Sequence, residues 1–277
     1  MRLGGPPFAK FTDPESWIAS IAAKGYRATY CPAGPETDDA TIQAYAKAAR
    51  RADIVIAEVG AWSNPLSADA DAAKAALEKC KAMLALAERI GALCCVNITG
   101  SRGAPWDGPH PLNLTKETFE MILQVSRDII DAVKPVHAFY TLETMPWMYP
   151  DSADSYLELL KAIDRRAMGV HFDPVNLICS PQRYFANAEL IRDFCHKLGP
   201  HIRSCHAKDI LLSARLTTHL DEVCPGKGNL CYRTMLKELD KLDPDTPLLM
   251  EHLSSEEEYD QAATHIRSVA DELGLTL

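Results

Sequence analysis

The sequence predicts an α/β protein that folds as one (βα)8 barrel, the TIM-barrel architecture, over residues 1–277. Three observations predict it. The chain has 277 residues, a length that α/β barrels often occupy as a single domain. Short β-prone runs alternate with longer amphipathic helical patterns up to the end of the chain, as parallel strands with helical crossovers require. These runs number eight, which is the number of strands that closes such a barrel.

Each predicted strand is a short apolar or β-branched run that ends at polar or turn residues. In chain order the strands are 2–4, 26–31, 54–58, 93–97, 138–143, 169–173, 202–206 and 248–252. The clearest helices are 68–90, 116–133, 152–165, with Ser152 as N-cap, and 256–273. An open doubly wound sheet is the alternative. It would place a G-x-G-x-x-G turn after the first strand, where this chain has GGPPF.

Composition excludes several classes of function. A formal net charge of -9, without clusters of Lys and Arg, argues against a nucleic-acid-binding surface. Hydrophobic residues at 47% are sufficient for a large buried core. The amino terminus has no apolar segment of signal-peptide length, and no run approaches the roughly 20 apolar residues that span a bilayer. We therefore expect a cytoplasmic protein without a membrane partner.

Polar side chains end six of the predicted strands, at the edge of the barrel where active sites of this architecture lie. They are Glu58, Asn97, Glu143, Asp173, His206 and Glu251. A single such residue is usually a helix cap or a turn residue. The last four, however, end consecutive strands and can converge on one point. Three carboxylates there would repel one another without a cation, so we predict a divalent metal, Mn²⁺ first and Mg²⁺, Co²⁺ or Zn²⁺ as alternatives.

These motifs resemble the sugar phosphate isomerase/epimerase family with the xylose isomerase-like TIM barrel. The resemblance covers nearly the whole chain and rests on YTLET, HFDP, HAKD, PGKG and LMEHL. It implies that Glu143, Asp173, His206 and Glu251 bind one metal ion and that the two glutamates exchange protons with the substrate. It also implies a homo-oligomer, since relatives often form dimers or tetramers.

The chain departs from the ketose 3-epimerases of this family at two positions. Those enzymes have a histidine shortly after the ligand aspartate and an arginine after the ligand histidine, where this chain has Asn176 and Lys208. The substrate and the reaction subtype therefore stay open at this point.

The predicted chemistry is proton transfer next to a carbonyl. With metal bound, a carboxylate can remove a proton to give an enediolate, and a second carboxylate can return it. The sequence thus predicts an isomerase or epimerase of a small sugar, keto-sugar or polyol derivative. The alternative is a lyase or dehydratase that acts on a keto-sugar or 3-oxo-glycoside by deprotonation and β-elimination. A carbohydrate-binding barrel without catalytic activity is the non-enzymatic alternative.

Six further residues are candidates for substrate contact. For each of them an ordinary structural role is the alternative interpretation. The residue would then be a surface lysine, a histidine of the core, a cap or turn residue, or a residue that packs on the surface. The candidates are Lys208 and His171 beside the proposed ligands, Glu58 and Asn97 across the barrel edge, and Trp147 and Arg183 in long loops.

Overall fold

The computed structural model describes residues 1–277 and confirms the predicted barrel. The strands are β1 (Arg2–Gly4), β2 (Ala28–Tyr30), β3 (Val55–Gly60), β4 (Cys94–Asn97), β5 (Phe139–Glu143), β6 (Met168–Phe172), β7 (Ile202–Ala207), β8 (Asp209–Ser213), β9 (His219–Val223) and β10 (Pro247–Met250). Eight of them close into a parallel barrel in the order β1-β10-β7-β6-β5-β4-β3-β2. The remaining two, β8 and β9, pair antiparallel as a separate hairpin.

Nine α-helices surround the barrel. They are α1 (Pro14–Ala23), α2 (Asp39–Arg51), α3 (Ala70–Ile90), α4 (Lys116–Val133), α5 (Ala153–Ile163), α6 (Pro181–Phe185), α7 (Asn187–Leu198), α8 (Tyr232–Leu239) and α9 (Glu256–Leu273). Short 3₁₀ turns lie at Val175–Leu177 and Gly199–His201. The predicted cap at Ser152 is confirmed, since its side chain accepts a hydrogen bond from the Ser155 amide. None of these helices combines the length and the apolar character needed to cross a membrane.

Two strand boundaries differ from the prediction in ways that affect the site. Strand β3 continues to Gly60, so Glu58 lies within the strand and not at its end. Strand β10 ends at Met250, so Glu251 is the first residue after it. The β8–β9 hairpin was not predicted, because only Lys208 separates β8 from β7 and the two runs merge in the sequence.

Tyr156 of α5 connects strand β5, which ends at Glu143, with strand β6, which Asp173 follows. The side chain is fully buried, and its hydroxyl contacts four main-chain polar atoms of β5 and β6. The carbonyl oxygens of Leu142 and Gly169 lie 2.7 and 3.0 Å from it, and the amide nitrogens of Leu142 and His171 lie 3.1 and 3.3 Å away. One buried hydroxyl therefore holds a helix against both strands.

We expect Tyr156→Phe to lower the free energy of unfolding by about 1–3 kcal/mol, because it leaves buried main-chain groups without their partner. Urea unfolding followed by circular dichroism measures the change. Tyr149→Phe is the matched control, since that hydroxyl makes one exposed hydrogen bond to the Leu114 carbonyl. A Tyr156→Phe protein as stable as the control would contradict the structural role of this hydroxyl.

Candidate active site

Four polar side chains meet where β5, β6, β7 and β10 end. Glu143 is the last residue of β5, Asp173 follows β6, His206 lies near the end of β7 and Glu251 follows β10. His206 Nδ1 lies 2.8 Å from Glu251 Oε1, 3.3 Å from Glu143 Oε1 and 3.8 Å from Asp173 Oδ2. One atom from each residue lies within 4.8 Å of the others. The structure thus brings together all four residues that the sequence predicted as metal ligands.

The two carboxylate oxygens of Asp173 have different roles. Oδ1 accepts hydrogen bonds from the amides of Val175 and Asn176, at 2.9 and 3.2 Å, and so stabilises the 3₁₀ turn that follows β6. Oδ2 is buried and faces His206 instead. The turn-forming and ligand interpretations of this residue are therefore compatible in one side chain.

Two buried carboxylate oxygens in this cluster accept no hydrogen bond. They are Asp173 Oδ2 and Glu251 Oε1. The ammonium of Lys208 lies only 2.8 and 2.5 Å from them, but as an ion pair without hydrogen-bond geometry. Buried acceptors are rarely left without a donor. Oxygens of this kind, beside an imidazole nitrogen, fit a divalent cation.

The pKa values show how strongly the site favours positive charge. Burial raises the pKa of Glu143, although His206 and Lys208 act against this rise. Burial also acts to raise the pKa of Asp173 and Glu251, but Lys208 and His206 outweigh it: the pKa of Asp173 falls well below its usual value and that of Glu251 falls to about 2. For His206, burial lowers the pKa, and the charges of Glu251, Glu58 and Glu143 raise it well above its usual value.

A second layer of polar residues lies directly beneath His206. Glu58 Oε1 is 3.3 Å from His206 Nε2, and Glu58 Oε2 is 3.1 Å from His171 Nε2 and accepts a hydrogen bond from Ser204 Oγ at 2.9 Å. Both histidines and Ser204 are fully buried, and Glu58 is 1% exposed. A carboxylate on Nε2 favours the tautomer that leaves the Nδ1 lone pair directed at the cluster. Glu58 and His171 therefore contact His206, and neither reaches the cavity above it.

An open cavity of about 470 Å³ lies above the cluster. Glu143, Lys208 and Glu251 form part of its lining. Polar side chains of the surrounding loops and the hairpin line it as well: Asp107, Asn176, Glu222 and His252. Apolar and aromatic side chains complete the wall: Tyr30, Trp62, Ile98, Trp106 and Met145. A cavity with these walls has the size and the mixed character of a small-molecule site.

Three other predicted contact residues lie outside this cavity. Asn97 is fully buried, and its amide group exchanges hydrogen bonds with the main chain of Ser63, at 3.0 and 3.1 Å, so it anchors the loop after β3. Trp147 donates a hydrogen bond to the Asp107 carbonyl at 2.8 Å and links two loops. Arg183 donates to the Leu177 carbonyl at 2.9 Å and lines a separate depression. The structure does not bring these three side chains to the cluster.

Asp209 organises the PGKG turn at the edge of the cavity. Its Oδ2 accepts hydrogen bonds from the amides of Gly226 and Gly228, at 2.9 and 3.0 Å, and its Oδ1 accepts one from Leu230 at 2.8 Å. Gly226 has a φ of 92°, a backbone conformation that residues other than glycine rarely adopt. A Cβ atom on Gly228 would lie 2.3 Å from Asp209 Oδ1. The glycines are required for this close approach, which positions the end of the hairpin.

Sequence reasoning missed several residues of the cavity wall. Trp62 and Trp106 follow β3 and β4 in loops that fold back over the barrel, and no periodic pattern indicates such a path. Glu222 belongs to the hairpin that was not predicted. The sequence predicts His252 as the end of the last strand, but the residue lies after β10 with a φ of 58°, and its Nδ1 lies 3.2 Å from Glu222 Oε1.

A family model described as xylose isomerase-like TIM barrel matches residues 18–269. D-psicose 3-epimerase from Clostridium cellulolyticum H10, solved with D-tagatose, is 15% identical over 100% of both chains, with a TM-score of 0.71. A xylose isomerase-like TIM barrel protein from Mycobacterium smegmatis in complex with magnesium is 14% identical over 98% of this chain and 97% of its own, with a TM-score of 0.68. The probable 3-DHS dehydratase AsbF from Bacillus anthracis is 14% identical over 94% of each chain, with a TM-score of 0.66. No curated protein matches the sequence. At these identities the structural likeness shows the fold alone.

Proposed function

The chain belongs to the xylose isomerase-like TIM barrel family, and from this membership we propose that it is a divalent-metal-dependent isomerase or epimerase of a small sugar, keto-sugar or polyol derivative. The observation that carries the proposal is the cluster of Glu143, Asp173, His206 and Glu251 beneath an open polar cavity. The likeness in fold to D-psicose 3-epimerase supports a sugar substrate.

The donor set determines which metal the site would hold. Three carboxylates and one imidazole form a mainly oxygen site, for which we propose Mn²⁺, with Mg²⁺, Co²⁺ and Zn²⁺ also able to bind. When bound, such an ion withdraws electron density from a substrate carbonyl and an adjacent hydroxyl, so that the C–H bond between them becomes acidic. The magnesium complex of the Mycobacterium smegmatis relative supports a divalent ion.

We propose that Glu143 and Glu251 move the proton. Strands β6 and β7 separate the two residues around the barrel, so they enter the cavity from different sides. Asn176 Nδ2 donates a hydrogen bond to Glu143 Oε1 at 3.0 Å, and Lys208 Nζ lies 2.5 Å from Glu251 Oε1. Each glutamate is thus held in place by a neighbour. One, as a carboxylate, can remove a proton from the substrate, and the other, as a carboxylic acid, can donate its own proton to the opposite face.

The walls of the cavity match the two chemical faces of a sugar. Asp107 and Glu222 offer carboxylate acceptors, and Asn176 offers an amide, to substrate hydroxyls. Trp62 and Trp106 offer aromatic surface to the C–H faces of the ring.

A keto-sugar panel in D₂O with added Mn²⁺ tests the proposed reaction. Deuterium at the carbon next to the carbonyl of a recovered isomer is the expected result, because the carboxyl group that reprotonates this carbon exchanges its proton with solvent. An assay in which every sugar is recovered unlabelled and unchanged would contradict the proposal.

A metal-dependent lyase or dehydratase is the second candidate. The same proton abstraction, followed by loss of a β-substituent, gives an unsaturated product. The pair of Glu222 and His252, 3.2 Å apart at the cavity wall, favours it, because a protonated imidazole there could give a proton to a leaving group. The likeness in fold to a probable dehydratase supports the same candidate. In the D₂O assay, an unsaturated product or a released aglycone would identify this reaction.

We expect Glu58→Gln to weaken Mn²⁺ binding by roughly 10- to 100-fold, the usual effect of losing a group that orients a metal-binding histidine. The variant keeps the size of the side chain but removes the charge that holds His206 Nε2. Isothermal titration with Mn²⁺ measures the affinity.

Glu88→Gln is the matched control for this prediction. It removes the same charge from a carboxylate that accepts hydrogen bonds from the amides of His137 and Ala138, at 2.9 and 2.8 Å, before the start of β5. The control should bind Mn²⁺ as the wild type does. Equal affinity in the two variants would show that Glu58 does not position His206.

A further inference from the structure

The ammonium of Lys208 contacts the same oxygen atoms that the proposed metal ion would take. Its Nζ lies 2.5 Å from Glu251 Oε1, 2.8 Å from Asp173 Oδ2 and 3.7 Å from Glu143 Oε1. His206 Nδ1 faces these same three oxygens. A lysine nitrogen and the proposed metal-binding nitrogen therefore share one set of carboxylate oxygens.

The buried ammonium of Lys208 needs these carboxylates as partners for its charge. The residue is 2% exposed, and a buried ammonium is costly unless it is paired with an opposite charge. Beyond the three carboxylates of the cluster, its one further ion-pair partner is Glu222, whose Oε2 lies 3.6 Å from Nζ. The ammonium thus offsets part of the repulsion among three carboxylates, and those carboxylates make its burial tolerable.

A divalent ion and this ammonium oppose each other at the cluster. A metal ion would bind these oxygens at about 2.0–2.2 Å, which places it within a few ångströms of Nζ. Two positive charges at such a distance in a buried site repel strongly. Lys208 and Glu222 both line the cavity, so Glu222 offers the ammonium a position away from the cluster and toward the substrate.

We propose that Lys208 is an internal competitor for the metal: its ammonium holds the carboxylate oxygens until a divalent ion binds, and then moves toward Glu222 in the cavity wall. Metal binding thereby supplies the cavity with a hydrogen-bond donor for a substrate oxygen. This inference rests on the proposed metal site and adds a role for Lys208 that the site alone does not require.

Mn²⁺ titration of the wild type and of Lys208→Met tests the proposal. The variant should bind Mn²⁺ roughly tenfold or more tightly, because the competing charge is gone. After chelation, it should unfold at a temperature about 5 °C or more below that of the wild type, because its carboxylates lack their counter-ion. Lys197→Met is the matched control: that ammonium also joins two carboxylates, Asp154 and Asp193, each at 2.8 Å, but on the surface. Its Mn²⁺ affinity should equal that of the wild type.

The outcomes separate this inference from the metal site itself. If the wild type binds Mn²⁺ and Lys208→Met binds it equally well or more weakly, Lys208 does not compete with the metal. The proposed metal site would still stand. A wild type that binds no Mn²⁺ would overturn both. If Lys208→Met does not fold, a crystal structure of the wild type with Mn²⁺ decides: Nζ should lie away from Asp173 Oδ2, and a contact of about 3 Å between them would refute the displacement.

Discussion

Glu251→Gln should reduce kcat by roughly 10²- to 10⁴-fold, the contribution of a positioned general base. The amide keeps the size and an oxygen acceptor of the side chain but cannot take up a proton. Glu251 lines the cavity beside His206 and Lys208, so a bound substrate can bring a proton to its carboxylate. Turnover is measured on the best substrate of the keto-sugar panel, with the Mn²⁺ content determined by mass spectrometry on the same sample.

The metal content separates loss of a base from loss of a ligand. A larger fall in turnover than in Mn²⁺ occupancy supports proton transfer by Glu251, since a residue that only bound metal would lose both together. Glu257→Gln is the control, because this exposed residue in the first turn of α9 makes no contact with the cavity. Full turnover by Glu251→Gln would refute its role as a base. A wild type that binds sugars but turns over none of the panel would favour the carbohydrate-binding alternative.

The floor of the site could be predicted from sequence because it depends on regular structure. Parallel strands place their carboxyl ends on one edge, so Glu143, Asp173, His206 and Glu251 could be brought together from their positions in short apolar runs. Lys208 lies two residues after His206, and an extended chain directs both side chains to the same side, as the structure shows.

The walls of the site could not be predicted in the same way. The position of the Glu58 side chain depends on where β3 ends. The strand continues for two residues beyond Glu58, so the side chain lies beneath His206 and not above it. Asn97 is held by the main chain of Ser63, a contact between loops that no local pattern specifies. Trp62 and Trp106 reach the cavity only because their loops fold back across the barrel. Residues on strand ends follow from periodicity, whereas residues on loops require the tertiary structure.

Asp173→Asn and His206→Ala should each weaken Mn²⁺ binding by more than roughly 10²-fold. This effect is larger than the loss of a residue that only orients a metal ligand would cause. In Asp173→Asn, one amide oxygen can still accept hydrogen bonds from Val175 and the residue after it, so the turn after β6 survives. The amide nitrogen then replaces Oδ2 and directs hydrogen atoms at the ion and at Lys208. His206→Ala removes the one nitrogen donor of the cluster and leaves the buried charge of Glu58 with one fewer partner.

These two variants test the metal centre most directly. Mn²⁺ bound after dialysis is measured by mass spectrometry, and turnover is measured in excess Mn²⁺, with circular dichroism as the check on folding. Asp193→Asn on the surface of α7 is the control and should bind and turn over as the wild type does. Partial recovery of turnover in excess metal is expected for Asp173→Asn, because the turn after β6 survives and Glu143, His206 and Glu251 remain as ligands. Full Mn²⁺ occupancy and normal turnover in both Asp173→Asn and His206→Ala would exclude a metal at these four side chains. The two carboxylate oxygens without hydrogen bonds would then have Lys208 and His206 as their counter-charges, and a group other than a metal ion would have to make the substrate C–H bond acidic.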